Sequence, residues 1–342
     1  MARFSVADSL PRSADFAPAT GKRVFYLFPD RSSAALAAWE RDVFWPVYER
    51  MAHAIGLDFA VAVPEHVLLR DGAAYWQGER LRPDRDMVVY DVRSEPMHEP
   101  DIWSSLTLVR SLEAQGFWLA IPLSTALLCN DKFATTEALA DSPIPVIPSV
   151  RVNAGRDLNR LSYQEMIPDD WFPAFVKPAS WGRGLGAVRC PDRGSLDALL
   201  GLASGSGATM LVQPSVGDVV TDTRVVAVEG EIVFAFDRVG AVGSHVANLS
   251  RGGRWEVRSD VEDPVRELVE FVHRRLDLPY ECIDVLRTAD GGLWFSELEA
   301  DGSFAGLFGD QDAVARIVGG RFRAYARRHD LHLRRGAAAA RI

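Results

Sequence analysis

Lys177 follows the short apolar run Ala174-Phe175-Val176, and glycines stand at 182, 184 and 186. Such a run reads as a buried strand, and a loop with three glycines can bring bare backbone N–H groups against an anion. A lysine at the strand end adds a compact positive charge. The pattern suits a phosphate grip, although a Gly-rich bend after a strand is often just a tight turn with no ligand. It is not a P-loop, because no Gly-Lys-Ser/Thr follows the glycines.

A second stretch pairs Tyr280-Glu281-Cys282-Ile283-Asp284-Val285-Leu286 with Leu293-Trp294-Phe295-Ser296-Glu297-Leu298-Glu299. Side chains alternate along a strand, so Glu297 and Glu299 share a face, about 7 Å apart. A hairpin loop at Asp290-Gly291 sets Asp284 opposite Glu297, with about 5 Å between Cβ atoms; a loop at Gly291-Gly292 sets it opposite Glu299. Either register crowds three carboxylates on a face that also carries Leu293 and Phe295. Crowded carboxylates raise one another's pKa unless a cation compensates. A hard divalent ion, Mg²⁺ or Mn²⁺, answers that charge with oxygen ligands. An exposed hairpin whose acids point to water is the alternative.

A third group is Asn130-Asp131-Lys132. Asn130 or Asp131 can cap a helix running to about Ala140, which leaves Lys132 in the first turn, where a cation opposes the helix dipole. Such a lysine is either held for another task or simply solvated.

The elements that must position these groups alternate strand and helix. Val24–Phe28 reads as a strand, Ser33 to Ile55 as a helix stopped by Gly56, and Phe59–Val63 and Met87–Tyr90 as strands. A helix from Ile102 to Ala114 and a strand Phe117–Ile121 complete a doubly wound α/β unit. Strands are expected at Val146–Val152, around Lys177, at Ala187–Arg189 and at Met210–Gln213, with a short helix from Ser195 to Leu202. A hairpin, Thr223–Val228 with Ile232–Phe236, turns at Glu229-Gly230. Helices over 264–276 and 311–329 flank the acidic hairpin. The chain divides into a flexible leader (1–21), an N-terminal α/β domain (22–126), a central subdomain with a glycine-rich lid (127–213), a C-terminal subdomain with the acidic hairpin (214–333) and a flexible tail (334–342).

Composition narrows the function. The 342 residues exceed one ordinary core. A net charge of −9 argues against nucleic acid as a partner. The arginines near the end (Arg321, Arg323, Arg327, Arg328, Arg334, Arg335) read as a solvated helix face and a loose basic end. Cys129, Cys190 and Cys282 are few, far apart and odd in number, which suits a reducing compartment and no disulfide scaffold. No apolar run suits a signal peptide or a membrane span, so a cytoplasmic protein without membrane contact is expected. A phosphate grip and a carboxylate cluster in one chain complement each other, because Mg²⁺ prefers a few carboxylates plus substrate phosphates. Together they describe a nucleoside triphosphate clamped between two units.

The ordered set of Asn130-Asp131-Lys132, Phe175-Val176-Lys177-Pro178 with its glycines, Leu211-Val212-Gln213, Asp222-Thr223-Arg224, Phe236-Asp237-Arg238, Asn248 to Gly253, Ile283-Asp284-Val285-Leu286 and Glu297-Leu298-Glu299 resembles the ATP-grasp superfamily. In pattern it is most similar to the RimK-type glutamate ligases, and the likeness runs from about 130 to 305. The resemblance implies an ATP-grasp fold of α/β (α+β) class, with a doubly wound N-terminal unit and two α+β subdomains clamping ATP. It implies that Lys132, Lys177, Ser180, Gly182, Gly184 and Gly186 meet the nucleotide and its phosphates, the loop closing as a lid. Backbone at Gln213 and Ser215 would read the adenine, and Asp222 would hold the ribose. Asp284, Glu297 and Glu299 would carry Mg²⁺. Arg238, with Arg224 and Asn248, would face the γ-phosphate or an acceptor carboxylate.

The implied activity is an ATP-dependent carbon–nitrogen ligase that joins a small carboxylate, an amino acid or small peptide, to an amine through an acyl phosphate. A homodimer is a family expectation. Three departures stand out: Glu299 replaces the family's usual asparagine, Pro214 stands where an acid often follows the strand, and Ala300 to Phe304 lacks the usual proline. Two other readings compete. One is a phosphotransferase on the same fold, for which His245 is the nearest histidine and reads better as a loop residue. The other is a nucleotide-binding module without turnover, against which Lys132, Lys177, Asp284 and Glu297 argue.

Overall fold

A computed structural model describes residues 17–29, 34–90, 99–153, 163–182, 184–239, 254–304 and 307–339. Asn248 and His245 lie outside these residues. The fully buried strand β1 (Arg23–Leu27) is the centre of a small parallel sheet. After it come α1 (Ala34–Trp39), a π-helical turn (Glu40–Phe44) and α2 (Trp45–Ala54), so the expected helix is present with its hydrogen-bond pattern altered just ahead of Pro46. A proline has no N–H to continue the ladder, and a widened turn accommodates it. Strand β2 (Asp58–Ala62) lies on one side of β1. A meander, β3 (Val67–Arg70), β4 (Ala73–Trp76) and β5 (Glu79–Arg80), then turns at Asp71-Gly72 and Gln77-Gly78, all with positive φ. Strand β6 (Asp86–Tyr90) lies on the other side of β1, and α3 (Glu99–Ala114) follows. Phe117–Ile121, expected as a full strand, makes only the bridge Val88–Leu119, since Gly116 and Pro122 bound the run closely.

Asp131 separates α4 (Leu123–Asn130) from α5 (Lys132–Ala138), and its carboxylate accepts the N–H groups of Phe133 (2.9 Å) and Ala134 (3.2 Å). This satisfies two of the donors a helix start leaves open. Strand β7 (Val150–Asn153) starts later than expected because Pro148 cannot join a ladder; Val146 instead bridges to Phe295, whose N–H donates to the Pro145 carbonyl at 3.0 Å. Next come α6 (Tyr163–Met166), β8 (Ala174–Pro178), β9 (Val188–Cys190), α7 (Arg193–Ser206) and β10 (Thr209–Pro214). They form an antiparallel sheet of order β7-β10-β8-β9 with α7 on one face, where Leu196 and Leu200 meet Val176, Met210 and Val212.

Strands β11 (Val219–Val228) and β12 (Glu231–Val239) turn at Glu229-Gly230, both with positive φ as a two-residue hairpin requires. With β13 (Arg254–Val257), β14 (Tyr280–Thr288) and β15 (Leu293–Glu299) they make an antiparallel sheet of order β13-β12-β11-β14-β15. Helix α8 (Asp263–Leu276) lays Val265, Leu268, Val269 and Val272 on its apolar face. The chain continues through α9 (Gln311–Val314), a π-helical turn (Ala315–Gly319) and α10 (Gly320–Ala339).

The last helix differs from expectation in two ways. It runs past 329 to Ala339, so Arg334 and Arg335 are helical. Its arginines are also not all solvated: Arg321 is fully buried, and Arg328 pairs with Glu229 at 2.7 Å. The reason is its place between two sheets. One core cluster joins Val24 and Tyr26 of β1 to Tyr48 of α2, Phe322 and Tyr325 of α10, and Val226 and Tyr280 of the five-stranded sheet. Among the described residues no helix is long and apolar enough to cross a membrane.

Candidate active site

A cleft of about 540 Å³ opens between the two antiparallel sheets. Phe175, Lys177 and Gln213 line it from the four-stranded sheet, and Asp222, Arg224, Arg238, Asp284, Glu297 and Glu299 from the five-stranded one. Lys132, at the start of α5, and Gly182 and Gly184 of the loop after β8 complete the wall. Residues far apart in the chain thus meet in one place.

The acids meet through an irregular ladder. Asp284 pairs with Glu297 and Cys282 with Glu299, whereas Val285 pairs with Phe295 and Arg287 with Leu293. Ser296 is the extra residue, a β-bulge beside the cleft. The hairpin loop is therefore not Asp290-Gly291 alone; a longer turn, closed by the Thr288 N–H on the Gly292 carbonyl at 3.0 Å, is compensated by the bulge. The bulge also corrects the expected faces. Phe295 and Leu293 do not share the acidic face but pack with Ile283, Val285 and Leu298 in the core under α8. Carboxylate oxygens of Asp284, Glu297 and Glu299 lie within 4.8 Å of one another.

Basic side chains answer this charge. Arg224 grips Asp284 with two N–H···O contacts of 2.8 Å and reaches Glu299 at 3.0 Å. Arg238 reaches the same Asp284 at 2.6 Å and Asp222 at 2.7 Å. Lys132 pairs with Glu297 at 3.0 Å and donates to the Trp181 carbonyl at 2.7 Å, so it is not a solvated lysine. Burial works against ionisation of Asp284, but Arg224 and Arg238 outweigh it and hold its pKa down at about 2. Burial likewise opposes Glu297, yet Lys132 and Lys177 pull it below the usual range. For Glu299 and Asp222 burial wins: Glu299 is raised in spite of Arg224, and Asp222 is raised to about 6 in spite of Arg238. Burial and neighbouring Lys132 lower Lys177 to about 8, with Glu297 opposing. One Asp222 oxygen, Oδ1, and Arg238 Nε are buried with no hydrogen-bond partner among the described residues. Orphaned polar atoms on a cleft wall suit a polar ligand.

Most of the expected site residues line this cleft, with differences. Ser180 and Gly186 are not among the lining residues. At Gly186 (φ +69) a Cβ would sit 2.8 Å from the Pro178 ring, so that glycine serves the turn back to β9. Ser215 has already given its N–H to the Pro173 carbonyl (3.2 Å), and the Gln213 side chain donates to Ser149 (2.8 Å). Asp222, expected at the ribose, sits in the ion-pair network with Arg238, next to Asp284. Arg189 and Ile147 were not anticipated as lining residues. Arg189 lies opposite Phe175 in the β8–β9 ladder, a placement that the pairing of that short hairpin implies.

The donor set is oxygen-rich and anionic, with cations at its rim. It can hold a hard divalent ion and a phosphate chain together. The RimK-like ATP-grasp domain family matches residues 129–311. The chain is 32% identical over 196 residues to a D-alanine–D-alanine ligase of Sodalis glossinidius (strain morsitans), covering 53% of this chain and 52% of the relative. It is 27% identical over 231 residues to beta-citrylglutamate synthase B of Danio rerio, covering 66% of this chain and 56% of that protein. The chain thus spans about half the length of these curated relatives. Among solved structures, that of D-cycloserine synthetase DcsG superposes with a TM-score of 0.64 at 20% identity, over 88% of this chain and 99% of that one. That likeness is one of fold.

Proposed function

The chain belongs to the RimK-like ATP-grasp family, and on that premise we propose that it is an ATP-dependent ligase joining the carboxylate of an amino acid or small peptide to an amine. The observation that carries the proposal is the meeting of Lys132 and Lys177 with three acids in one cleft, acids whose oxygens come within 4.8 Å of one another. The names of the curated relatives, a ligase and a synthase, point the same way.

In this reading Lys132 and Lys177 bind the nucleotide's phosphates, and the loop carrying Gly182 and Gly184 closes over them to exclude water. Phe175 and the strand end at Gln213 and Ser215 flank the base. The carboxylate substrate attacks the γ-phosphorus; the bond to the bridging oxygen breaks and ADP leaves with that electron pair. The amine, arriving as its free base, then attacks the acyl carbon, and phosphate departs. Arg238, together with Arg224, offers fixed positive charge where charge builds on the transferring group. Asp222 sets Arg238 in place.

Asp284, Glu297 and Glu299 fit Mg²⁺, and Mn²⁺ suits the same donors. A bound ion would neutralise phosphoryl oxygens during transfer. The acids already contact Arg224, Arg238 and Lys132, so metal uptake exchanges ion pairs rather than exposing bare charge. Free thiols at Cys129, Cys190 and Cys282 support a cytoplasmic setting. The test is ADP and phosphate release by purified protein over a panel of amino-acid pairs, with product masses. A product equal to the sum of acid and amine less water supports the ligase. A product that has gained a phosphate overturns it.

A further inference from the structure

We propose that Asp301 is a positioning residue that fixes the turn after β15 against the acids of the cleft; its role in turnover rests on the ligase reading, its role in metal binding on the carboxylates alone. β15 ends at Glu299, so the ladder does not hold residues 300–304. A strand end without partners frays. Here three successive residues are tied to four different elements.

Asp301 accepts hydrogen bonds from the Tyr26 hydroxyl of β1 and from Arg321 of α10. Arg321 is fully buried, donates to the Tyr325 hydroxyl at 2.5 Å and lies 4.3 Å from the centre of the Tyr280 ring. Tyr280 in turn donates to the Gly302 carbonyl at 2.8 Å. The Ser303 carbonyl accepts from Arg224 at 2.9 Å, and the other guanidinium nitrogens of Arg224 hold Asp284. Gly302 lies so close to the acids that a Cβ there would fall 2.5 Å from Cys282 Cβ and 2.9 Å from Glu299 Oε2.

The consequence is mechanical. Glu299 meets Arg224 and stands opposite Cys282 in the ladder, and Gly302 is also held by Tyr280, but the turn between them is fixed from outside the cleft through Asp301, which an arginine and a tyrosine grip. Glu297 has Lys132 as a separate anchor. Releasing Asp301 should therefore loosen Glu299 and the turn, and leave Glu297 and the nucleotide-facing lysines where they are.

The experiment uses the full chain. Asp301→Asn leaves the Arg321 charge buried and unpaired and can fail to fold. The double variant Asp301→Asn/Arg321→Met removes both charges, a change that buried ion pairs often tolerate. Mn²⁺ uptake is followed by electron paramagnetic resonance without nucleotide, alongside thermal melts and hydrogen exchange over 300–304. The expected result is a cooperatively melting double variant with faster exchange in that turn. Its Mn²⁺ binding should be about tenfold weaker, the scale on which residues behind metal ligands act, and Asp301→Glu should recover part of the loss. Unchanged Mn²⁺ affinity in the folded double variant overturns the proposal. A wild-type chain that takes up no Mn²⁺ also overturns it. Failure of the ligase reading shows differently, as wild-type Mn²⁺ uptake with no ATP turnover.

Discussion

Asp284 stands directly across the β14–β15 ladder from Glu297, and at the very next pair the ladder has slipped by one residue. That slip at Ser296 lets one strand serve two masters: Phe295 faces the core under α8 and Glu297 faces the cleft. Substitutions should separate the two faces. Phe295→Ala should destabilise by about 3–5 kcal/mol and leave metal affinity within about twofold. Glu297→Gln should do the reverse, with Mn²⁺ affinity down at least tenfold and a smaller loss of stability than Phe295→Ala, because the amide still fills the site and can accept from Lys132. Urea denaturation and a metal titration on both variants check this. Loss of metal binding in Phe295→Ala without unfolding would contradict the bulged register.

Lys177 should take up a proton when nucleotide binds. In the free protein its pKa is lowered to about 8, chiefly by burial. Phosphate oxygens beside it favour the charged form and raise the pKa again. At pH 8 to 9, binding should therefore absorb a fraction of a proton, and affinity should fall as pH rises above about 8. Calorimetry in buffers of different ionisation enthalpy reads the uptake directly. Lys177→Ala should remove it and weaken nucleotide binding at least tenfold. The sign for stability is fixed by the same shift. A lysine depressed in the folded state contributes stability that is fully present above its unfolded pKa and is lost as pH falls through about 8.

What could be read beforehand was whatever local periodicity encodes. The two-residue alternation of 293–299 puts Glu297 and Glu299 together, the 3.6-residue spacing of Val265, Leu268 and Val272 marks α8, and a cap at Asn130 or Asp131 marks the start of α5, where the structure has Asp131. The bulge at Ser296 has no glycine to announce it, and the correct opposition of Asp284 and Glu297 came from a loop that is in fact longer. The β3–β5 meander did carry a turn signal at Asp71-Gly72, but its strands are short and partly exposed and show little alternation. Contacts such as Arg321 with Tyr26 join residues hundreds of positions apart. No local pattern foretells that an arginine on a helix otherwise rich in solvated arginines will be the buried one.

Glu299 and Arg224 give a test of the departure from the family's asparagine. Arg224 spans both Asp284 oxygens, Glu299 and the Ser303 carbonyl. Burial already raises the Glu299 pKa, so its charge is not well accommodated. Glu299→Asn should keep a ligand oxygen, relieve that burial and retain turnover within about tenfold. Arg224→Lys should be far worse, because one ammonium cannot reproduce the planar fork. It should lower stability by about 3 kcal/mol, as breaking a buried pair does, and should lower turnover. Chemical denaturation and ADP release on both variants provide the check. A Glu299→Asn variant that binds no metal would show that the carboxylate itself is required.

Glu281 sits one residue from Cys282 on the other face of β14, 1% exposed, with neither carboxyl oxygen hydrogen-bonded among the described residues. Burial raises its pKa to about 8, and Arg328 offsets this only in part. The folded chain therefore holds this proton more tightly than the unfolded chain, where the value is 4.5. Its contribution to stability is fully present below pH 4.5 and is lost progressively as pH rises through about 8, beyond which the loss is complete. The loss should be on the order of 3 kcal/mol, given about 1.4 kcal/mol for each pKa unit and some relaxation around the charge. Glu281→Gln carries no such proton and cannot charge. Its melting temperature should vary less between pH 5 and 8 than that of the wild type, and at pH 8 the variant should be the more stable of the two. Parallel pH profiles for the two proteins would mean that Glu281 finds a partner or water when it ionises, and that the pH dependence of stability lies with the cleft acids instead.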